Sequence, residues 1–252
     1  MNSIDALKEL LYKMADDQLI IGHRNSEWTG LGPILEEDIA FSSMAQDKIG
    51  QSEHLYNLLN QLGESDADTI AFTRNASQFH NSHFTELPIG EYDFSLIRHF
   101  LFDFAELFRF EALANSSYQP LALVAKKFKG EIKYHTMHAN TWVYQLGIGN
   151  QESYDRMQSV LNKYWSIALG MFEEGPAEDI LINEGIFIGE KALRDKWLSA
   201  VVPLLEKSGL SIPSESDWDP CKGGRVGEHT KHLQPLLNEM TEVYAIDPSA
   251  DW

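Results

Sequence analysis

The fold is decided by two neighbouring stretches, LIRHFLFDFAELFRFEAL at residues 96–113 and LALVAKKFKGEIKYHTMHANTWVYQ at residues 121–145. In each, residues three and four positions apart form one stripe, which is the period of an α-helix with a buried face. The first stripe is Leu96, His99, Asp103, Glu106, Phe110 and Leu113, and the second is Leu121, Val124, Phe128, Glu131, His135, His138, Trp142 and Gln145. The short break between the stretches contains Asn115, two serines and Pro120, which predicts that the two helices are antiparallel neighbours.

A second helix pair is predicted upstream of the first. Residues 3–24 carry an amphipathic stripe with Ser3 as a candidate N-cap, and a further stripe begins at Leu35 and ends at Gly63. Residues 64–92 lose the helical period and are rich in turn-forming residues, so we expect a long excursion over the surface. Two antiparallel pairs joined by such a crossover predict an all-α, ferritin-like four-helix bundle.

A helical extension is predicted after the bundle. Helical patterns recur at about 151–172, 189–208 and 226–245, and the irregular stretches between them are too short to form separate domains. We therefore expect one ferritin-like domain over residues 1–252. Its core bundle covers about 3–146, and its extension covers about 151–252.

Composition limits the classes of function. The 38 acidic and 20 basic residues give a formal charge of −18, which repels nucleic acid and, at long range, an acyl-CoA. The densest basic group fits a solvated helix face better than a ligand site, and it consists of Lys126, Lys127, Lys129 and Lys133. The single cysteine, Cys221, and the lack of a signal-peptide pattern or a membrane-spanning apolar run predict a cytoplasmic protein without nucleic-acid or membrane partners.

Polar residues interrupt the buried stripes of the third and fourth helices. The six residues are His99, Asp103, Glu106, Glu131, His135 and His138. Buried carboxylates must pair, bind a metal or meet water, and facing carboxylates and imidazoles are the material of a di-iron site in such bundles. The usual recipe is one Glu from each of two helices and a Glu-x-x-His from each of the other two.

The spacings argue against a complete di-iron site. Asp38 and Asp47 are followed three residues later by Phe41 and Gly50, and Gln18 on the first helix is a neutral, weak ligand. On the fourth helix Tyr134 follows Glu131 at the histidine position, and His135 lies at i+4.

We therefore expect a hydrogen-bonded polar network without bound metal. The residual metal candidates are Glu106, Glu131 and His135, which could form a mononuclear set with help from Asp103. No catalytic or cofactor-binding residue is assigned.

Two weaker signals lie near the end of the chain. His229 and His232, three residues apart near the start of the last predicted helix, could clamp a metal, although capping or interface contacts fit them better. The glycine-rich run 223–227 resembles a phosphate loop but follows no strand and lacks the Lys-Ser/Thr ending. No G-x-S-x-G motif supports hydrolysis, and nothing marks Cys221 as a nucleophile.

Several segments of the chain resemble, in the same order and over nearly the whole length, the C-subunit family of phenylacetyl-CoA 1,2-epoxidase complexes. These segments are DDQLIIGHR (16–24), EW (27–28), PILEEDIA (33–40), DTIAFTR (68–74), EIKYH (131–135), GGR (223–225) and HTKHL (229–233). The resemblance implies a cytoplasmic, noncatalytic structural component in aerobic phenylacetate breakdown. It also implies a ferritin-like catalytic A-subunit that holds the di-iron centre, a small B-subunit, and a reductase that supplies electrons from NADPH.

Members of this C-subunit family lack the iron-binding residues, so the resemblance transfers no catalytic position. A noncatalytic subunit needs a large interface, and Phe79, Phe84, Tyr92 and Trp252 are candidate exposed anchors. The isolated chain could instead form a homo-oligomer. Two other classes of function stay open: a metal-dependent oxygenase using Glu106, Glu131 and His135, and a metal-free binding module for the acyl-CoA.

Overall fold

The computed structural model describes residues 2–247, and these residues form helices and 3-10 turns without any strand, which confirms the predicted all-α class. The helices are α1 (Ser3–Ser26), α2 (Leu35–Gln61), α3 (Ala67–Phe72), α4 (His83–Glu86), α5 (Tyr92–Leu113), α6 (Gln119–Gly147), α7 (Gln151–Leu169), α8 (Glu178–Asn183), α9 (Glu190–Lys207) and α10 (Leu233–Thr241). None of these helices is both long and apolar enough to cross a membrane.

The N-cap of the first helix lies one residue earlier than predicted. The Asn2 side chain accepts hydrogen bonds from the backbone N–H groups of Ile4 and Asp5, and the Asp5 carboxylate accepts one from the Asn2 N–H. This reciprocal capping box satisfies amides that a helix start leaves unpaired. Ser3 is therefore the first helical residue and not the N-cap.

The four long helices α1, α2, α5 and α6 form the predicted ferritin-like bundle, with α1 packed on α2 and α5 packed on α6. Successive residues of α2 contact successive residues of α5. Glu37 contacts Tyr92 near the start of each helix, and Lys48 contacts Asp103 eleven residues later in each. The two helices therefore run parallel. A parallel pair requires the connection to return along the bundle, which is the role of the crossover (residues 62–91).

The crossover is only partly the surface excursion that we predicted, because most of residues 62–78 are exposed or half-buried whereas residues 79–86 are buried except for His80. It contains α3 and α4, and Phe79 and Phe84 are fully buried, so neither is an exposed anchor. The Arg74 guanidinium covers the Phe79 ring at 4.1 Å and forms an ion pair with buried Asp16 of α1. Turn-forming residues broke the helical period here, but these aromatic and charged groups hold the segment against the bundle.

The other two proposed anchors have different outcomes. Tyr92 is half-buried and donates a hydrogen bond of 2.6 Å to Glu37 Oε2, so it belongs to the bundle core and is not an exposed anchor. Trp252 lies outside the described residues.

The extension packs on α5 through aromatic side chains. Trp165 of α7 stacks on Trp197 of α9 at 5.2 Å between ring centroids, and Trp197 Nε1 donates a hydrogen bond to the Leu101 carbonyl of α5. The last predicted helix is shorter than expected, because α10 starts at Leu233 and not near residue 226. Gly227 adopts a left-handed φ of +83°, which a continuing helix would not tolerate.

The buried crossover gives a first testable prediction. Phe79→Ala should lower the free energy of unfolding by about 3–5 kcal/mol, because it opens a cavity beneath Arg74. Leu123→Ala, at a side chain 64% exposed on α6, is the matched control and should change it by less than about 0.5 kcal/mol. Urea titration measures the free energy of unfolding of both variants. Equally small losses of stability in the two would show that the crossover is not packed into the core.

Candidate functional site

Asp103 of α5 lies at the centre of the bundle and is completely buried. Its carboxylate forms an ion pair with Lys48 of α2, accepts a hydrogen bond of 2.5 Å from His99 Nδ1, and lies 3.3 Å from His135 Nδ1 of α6. Burial acts to raise the pKa of Asp103, but Lys48 and the histidines hold it well below its usual range. The centre of the bundle thus contains the Asp103 carboxylate, whose negative charge is compensated by the Lys48 ammonium group.

Hydrogen bonds continue from Asp103 in two directions. On one side, His135 lies between two carboxylates, because its Nε2 is 3.0 Å from Asp47 Oδ2. Burial lowers the pKa of His135, but the hydrogen bonds to Asp103 and Asp47 outweigh it and raise the pKa. Two carboxylates can only accept, so the geometry favours the imidazolium form of His135.

On the other side, the chain of contacts passes through two histidines to the start of α2. His99 Nε2 lies 3.3 Å from His138 Nδ1, and His138 Nε2 lies 3.0 Å from Glu37 Oε1. Burial lowers the pKa of His99 to about 4 even though Asp103 opposes the shift. These contacts, together with those of His135, join α2, α5 and α6 into one polar network.

Glu106 belongs to a second cluster, one turn along α5 from Asp103. It accepts hydrogen bonds from Gln18 Nε2 at 2.7 Å and from Arg109 Nε at 3.0 Å. Burial raises the pKa of Glu106, although Arg109 lowers it. Arg109 also pairs with Glu190 at the start of α9, so this cluster ties the bundle to the extension.

The three residual metal candidates have separate partners. Glu106 binds Gln18 and Arg109, and His135 contacts Asp103 and Asp47. Glu131 is half-buried on α6 and accepts a hydrogen bond of 3.1 Å from Gln51. No hydrogen bond joins any two of these three residues within the described chain. The absence of bound metal at the polar core stays a prediction.

The donor atoms at the centre do not fit a di-iron centre. Such a site needs Glu-x-x-His on two helices. The residues that contact Asp103 from the neighbouring helices are instead Lys48, in the sequence Lys48-x-x-Gln51 of α2, and His135, in the sequence Ile132-x-x-His135 of α6. Two buried acceptors without a protein donor do face inward, the amide oxygens of Gln18 and Gln51, but neutral amides are poor substitutes for carboxylates. The Lys48 ammonium also supplies, next to Asp103, the positive charge that iron ions supply in a di-iron protein.

The sequence patterns missed Lys48, Glu37 and Asp47 as members of the network. Lysine is rarely buried unless paired, so its position next to the stripe gave no sign of an inward orientation.

An all-α bundle with a long crossover and a carboxylate–histidine–lysine core defines a ferritin-like protein whose central side chains differ from the di-iron ligand pattern. The chain matches, over residues 1–252, the profile of the family described as phenylacetic acid catabolic protein, and it belongs to that family. Membership connects the chain with phenylacetate catabolism.

Two curated relatives come from Escherichia coli K12. The chain is 32% identical over 241 residues to the C-subunit of 1,2-phenylacetyl-CoA epoxidase, covering 95% of this chain and 96% of that one. It is 25% identical over 193 residues to the A-subunit of 1,2-phenylacetyl-CoA epoxidase, covering 74% and 62% of the two chains. The relationship to the C-subunit is thus shown along almost the full length of both proteins.

The buried Lys48–Asp103 pair gives a second prediction. Lys48→Met should lower the free energy of unfolding by about 3–5 kcal/mol, because it leaves the Asp103 carboxylate buried without its ammonium partner. The double variant Lys48→Met with Asp103→Asn removes both charges and should recover at least half of that loss. Chemical denaturation compares them, and additive losses in the double variant would contradict a coupled pair.

The lowered pKa of His99 gives a third prediction. The unfolded chain protonates this imidazole near pH 6.5, whereas the folded chain does so near pH 4, so stability falls as the pH drops through this window. His99→Gln should reduce the loss of unfolding free energy between pH 6.5 and 4.5 by about 2–3 kcal/mol. Urea titrations at both pH values measure this, and parallel losses in the variant and the natural chain would refute it.

Proposed function

We propose that this chain is a noncatalytic structural subunit of a multicomponent phenylacetyl-CoA 1,2-epoxidase, working in the cytoplasm. It would pair with and support a di-iron catalytic A-subunit, with a small B-subunit as a further partner. The observation that carries the proposal is the Lys48–Asp103 ion pair at the bundle centre, where an active protein of this fold would need metal ligands. The full-length similarity to the E. coli C-subunit supports the assignment to that role.

The outer face of α6 supports pairing with another chain. Large apolar side chains are exposed along α6 and at its C-cap residue at helical spacing, and they are Leu123, Tyr134, Met137, Tyr144 and Ile148. Exposed Leu35 and Ile39 lie at the start of α2, which runs antiparallel to α6 and is fixed to it by the Glu37–His138 contact. We call these seven residues the α2–α6 face. An apolar face of this kind typically marks a protein interface.

The partner that we propose for the α2–α6 face is the catalytic A-subunit. The names of the two E. coli relatives show that one epoxidase contains both A- and C-type subunits, and this chain is similar to both. Related chains of one fold commonly associate through equivalent surfaces. Self-association through the same face is the alternative for an isolated chain.

Charge disfavours a separate role in binding the acyl-CoA. A pocket of about 510 Å³ between α8 and α9 is lined by four carboxylates, those of Glu174, Glu178, Asp179 and Asp195. Lys191 is the single basic residue that lines the pocket. Such a lining repels a polyanionic ligand, as does the net charge of −18.

The pairing is tested by co-expression with a tagged A-subunit. The natural chain should co-purify in a stable complex, and Met137→Glu should weaken binding at least tenfold by burying a charge in the interface. Ile182→Glu, the same kind of change at an exposed side chain on α8, is the matched control and should leave binding unchanged.

Two outcomes would contradict the proposal. One is that the tagged A-subunit is not captured at all, or is captured equally by Met137→Glu. The other is that Glu131→Ala abolishes epoxidation in a fully assembled complex, which would make this chain a metal-dependent oxygenase.

A further inference from the structure

A cluster of metal-ligating side chains lies outside the bundle core, where the crossover meets the C-terminal segment (residues 221–232). One ring nitrogen of each of His83 and His229 and one oxygen of Glu86 lie within 4.8 Å of one another. The Cys221 thiol lies next to one member of this group, with Sγ 3.0 Å from His83 Nδ1. Glu86 is fully buried, and the His229 side chain is only 4% exposed.

Backbone carbonyls fix which nitrogen of each histidine can bind a cation. His83 Nε2 lies 2.6 Å from the Glu228 carbonyl oxygen, and His229 Nε2 lies 2.9 Å from the Phe79 carbonyl oxygen. A carbonyl only accepts, so each Nε2 carries the proton and each Nδ1 has a free lone pair in the neutral ring. Anchoring the far nitrogen on a carbonyl is the usual arrangement of metal-ligating histidines.

The Glu86 carboxylate is held in the same way. Its Oε1 accepts the Thr230 N–H at 2.6 Å, and its Oε2 accepts the Asn81 Nδ2 amide at 3.1 Å. The remaining lone pairs of Oε2 meet His229 Nδ1 at 2.8 Å. Two acceptors this close need a proton or a cation between them, and a ligand carboxylate oriented by outer hydrogen bonds suits a cation.

The surrounding backbone is packed tightly enough to hold such a site in place. A side-chain carbon at Gly224 would lie 2.3 Å from the Asn81 carbonyl oxygen, and one at Gly227 would lie 2.3 Å from the Ser77 carbonyl oxygen. The glycine-rich run is therefore a close contact with the crossover and not a phosphate loop. His232 occupies the N-cap position of α10 and is not part of the cluster, in which His83 and not His232 accompanies His229.

We propose that His83, Glu86, Cys221 and His229 form a structural zinc site that ties the crossover to the C-terminal segment. Two imidazoles, a thiolate and a carboxylate are a ligand set typical of tetrahedral zinc. Binding displaces the thiol proton and any proton shared by His229 and Glu86. The resulting Zn²⁺, thiolate and carboxylate sum to zero charge, which suits a buried position.

The site is tested by stripping the full-length chain with a chelator, adding zinc or cobalt, and removing excess metal by gel filtration. The natural chain should retain about one zinc per chain, and cobalt should give a thiolate charge-transfer band in the near ultraviolet. Cys221→Ser should lose that band. His83→Ala should lower zinc affinity at least tenfold.

The control is His232→Ala, which removes a neighbouring histidine that is not a ligand and should leave zinc retention unchanged. If the natural chain retains no zinc, His229 and Glu86 share only a proton and the proposal is wrong. Unchanged zinc affinity in both Cys221→Ser and His83→Ala would overturn it as well. Because the cobalt band is read on the natural chain, the test does not depend on the folding of a variant.

Discussion

The burial of Asp103 is the constraint on which the bundle centre depends. A carboxylate without solvent must be neutralised by a cation, by a proton or by several donors. Here the Lys48 ammonium and the histidines of α5 and α6 fulfil this need. In a ferritin-like protein with an iron site, the metal ions supply the positive charge, whereas here the Lys48 ammonium supplies it.

The parallel alignment of α2 and α5 makes this interaction possible. It places Lys48 opposite Asp103 and Glu37 opposite Tyr92. The antiparallel helix α6 then places His135 next to Asp103 and His138 next to Glu37. The alignment exists because the crossover returns along the bundle, held there by Arg74, Asp16 and buried aromatic rings. The geometry of the centre and the packing of the crossover are therefore parts of one arrangement.

The sequence predicted the four bundle helices and their pairing, because the stripes of residues 96–113 and 121–145 keep the helical period along their whole length. It also predicted that Asp103 and His135 face inward, since both lie in those stripes. It did not predict the burial of Phe79 and Phe84, because a segment without regular period leaves side-chain direction undetermined. Lys48 was missed for a related reason: its partner lies 55 residues away, and only the tertiary arrangement joins them.

The Lys48 ammonium at the bundle centre is the feature on which the proposed noncatalytic role rests. Anomalous X-ray diffraction at the iron edge shows directly which subunit binds iron. The crystals would contain the complex with the catalytic A-subunit and be grown with ferrous iron. The proposed noncatalytic role predicts iron peaks only in the A-subunit, with Lys48 Nζ still within hydrogen-bond distance of Asp103 in this chain. Two iron peaks about 3.5–4 Å apart between α1, α2, α5 and α6 of this chain would contradict it.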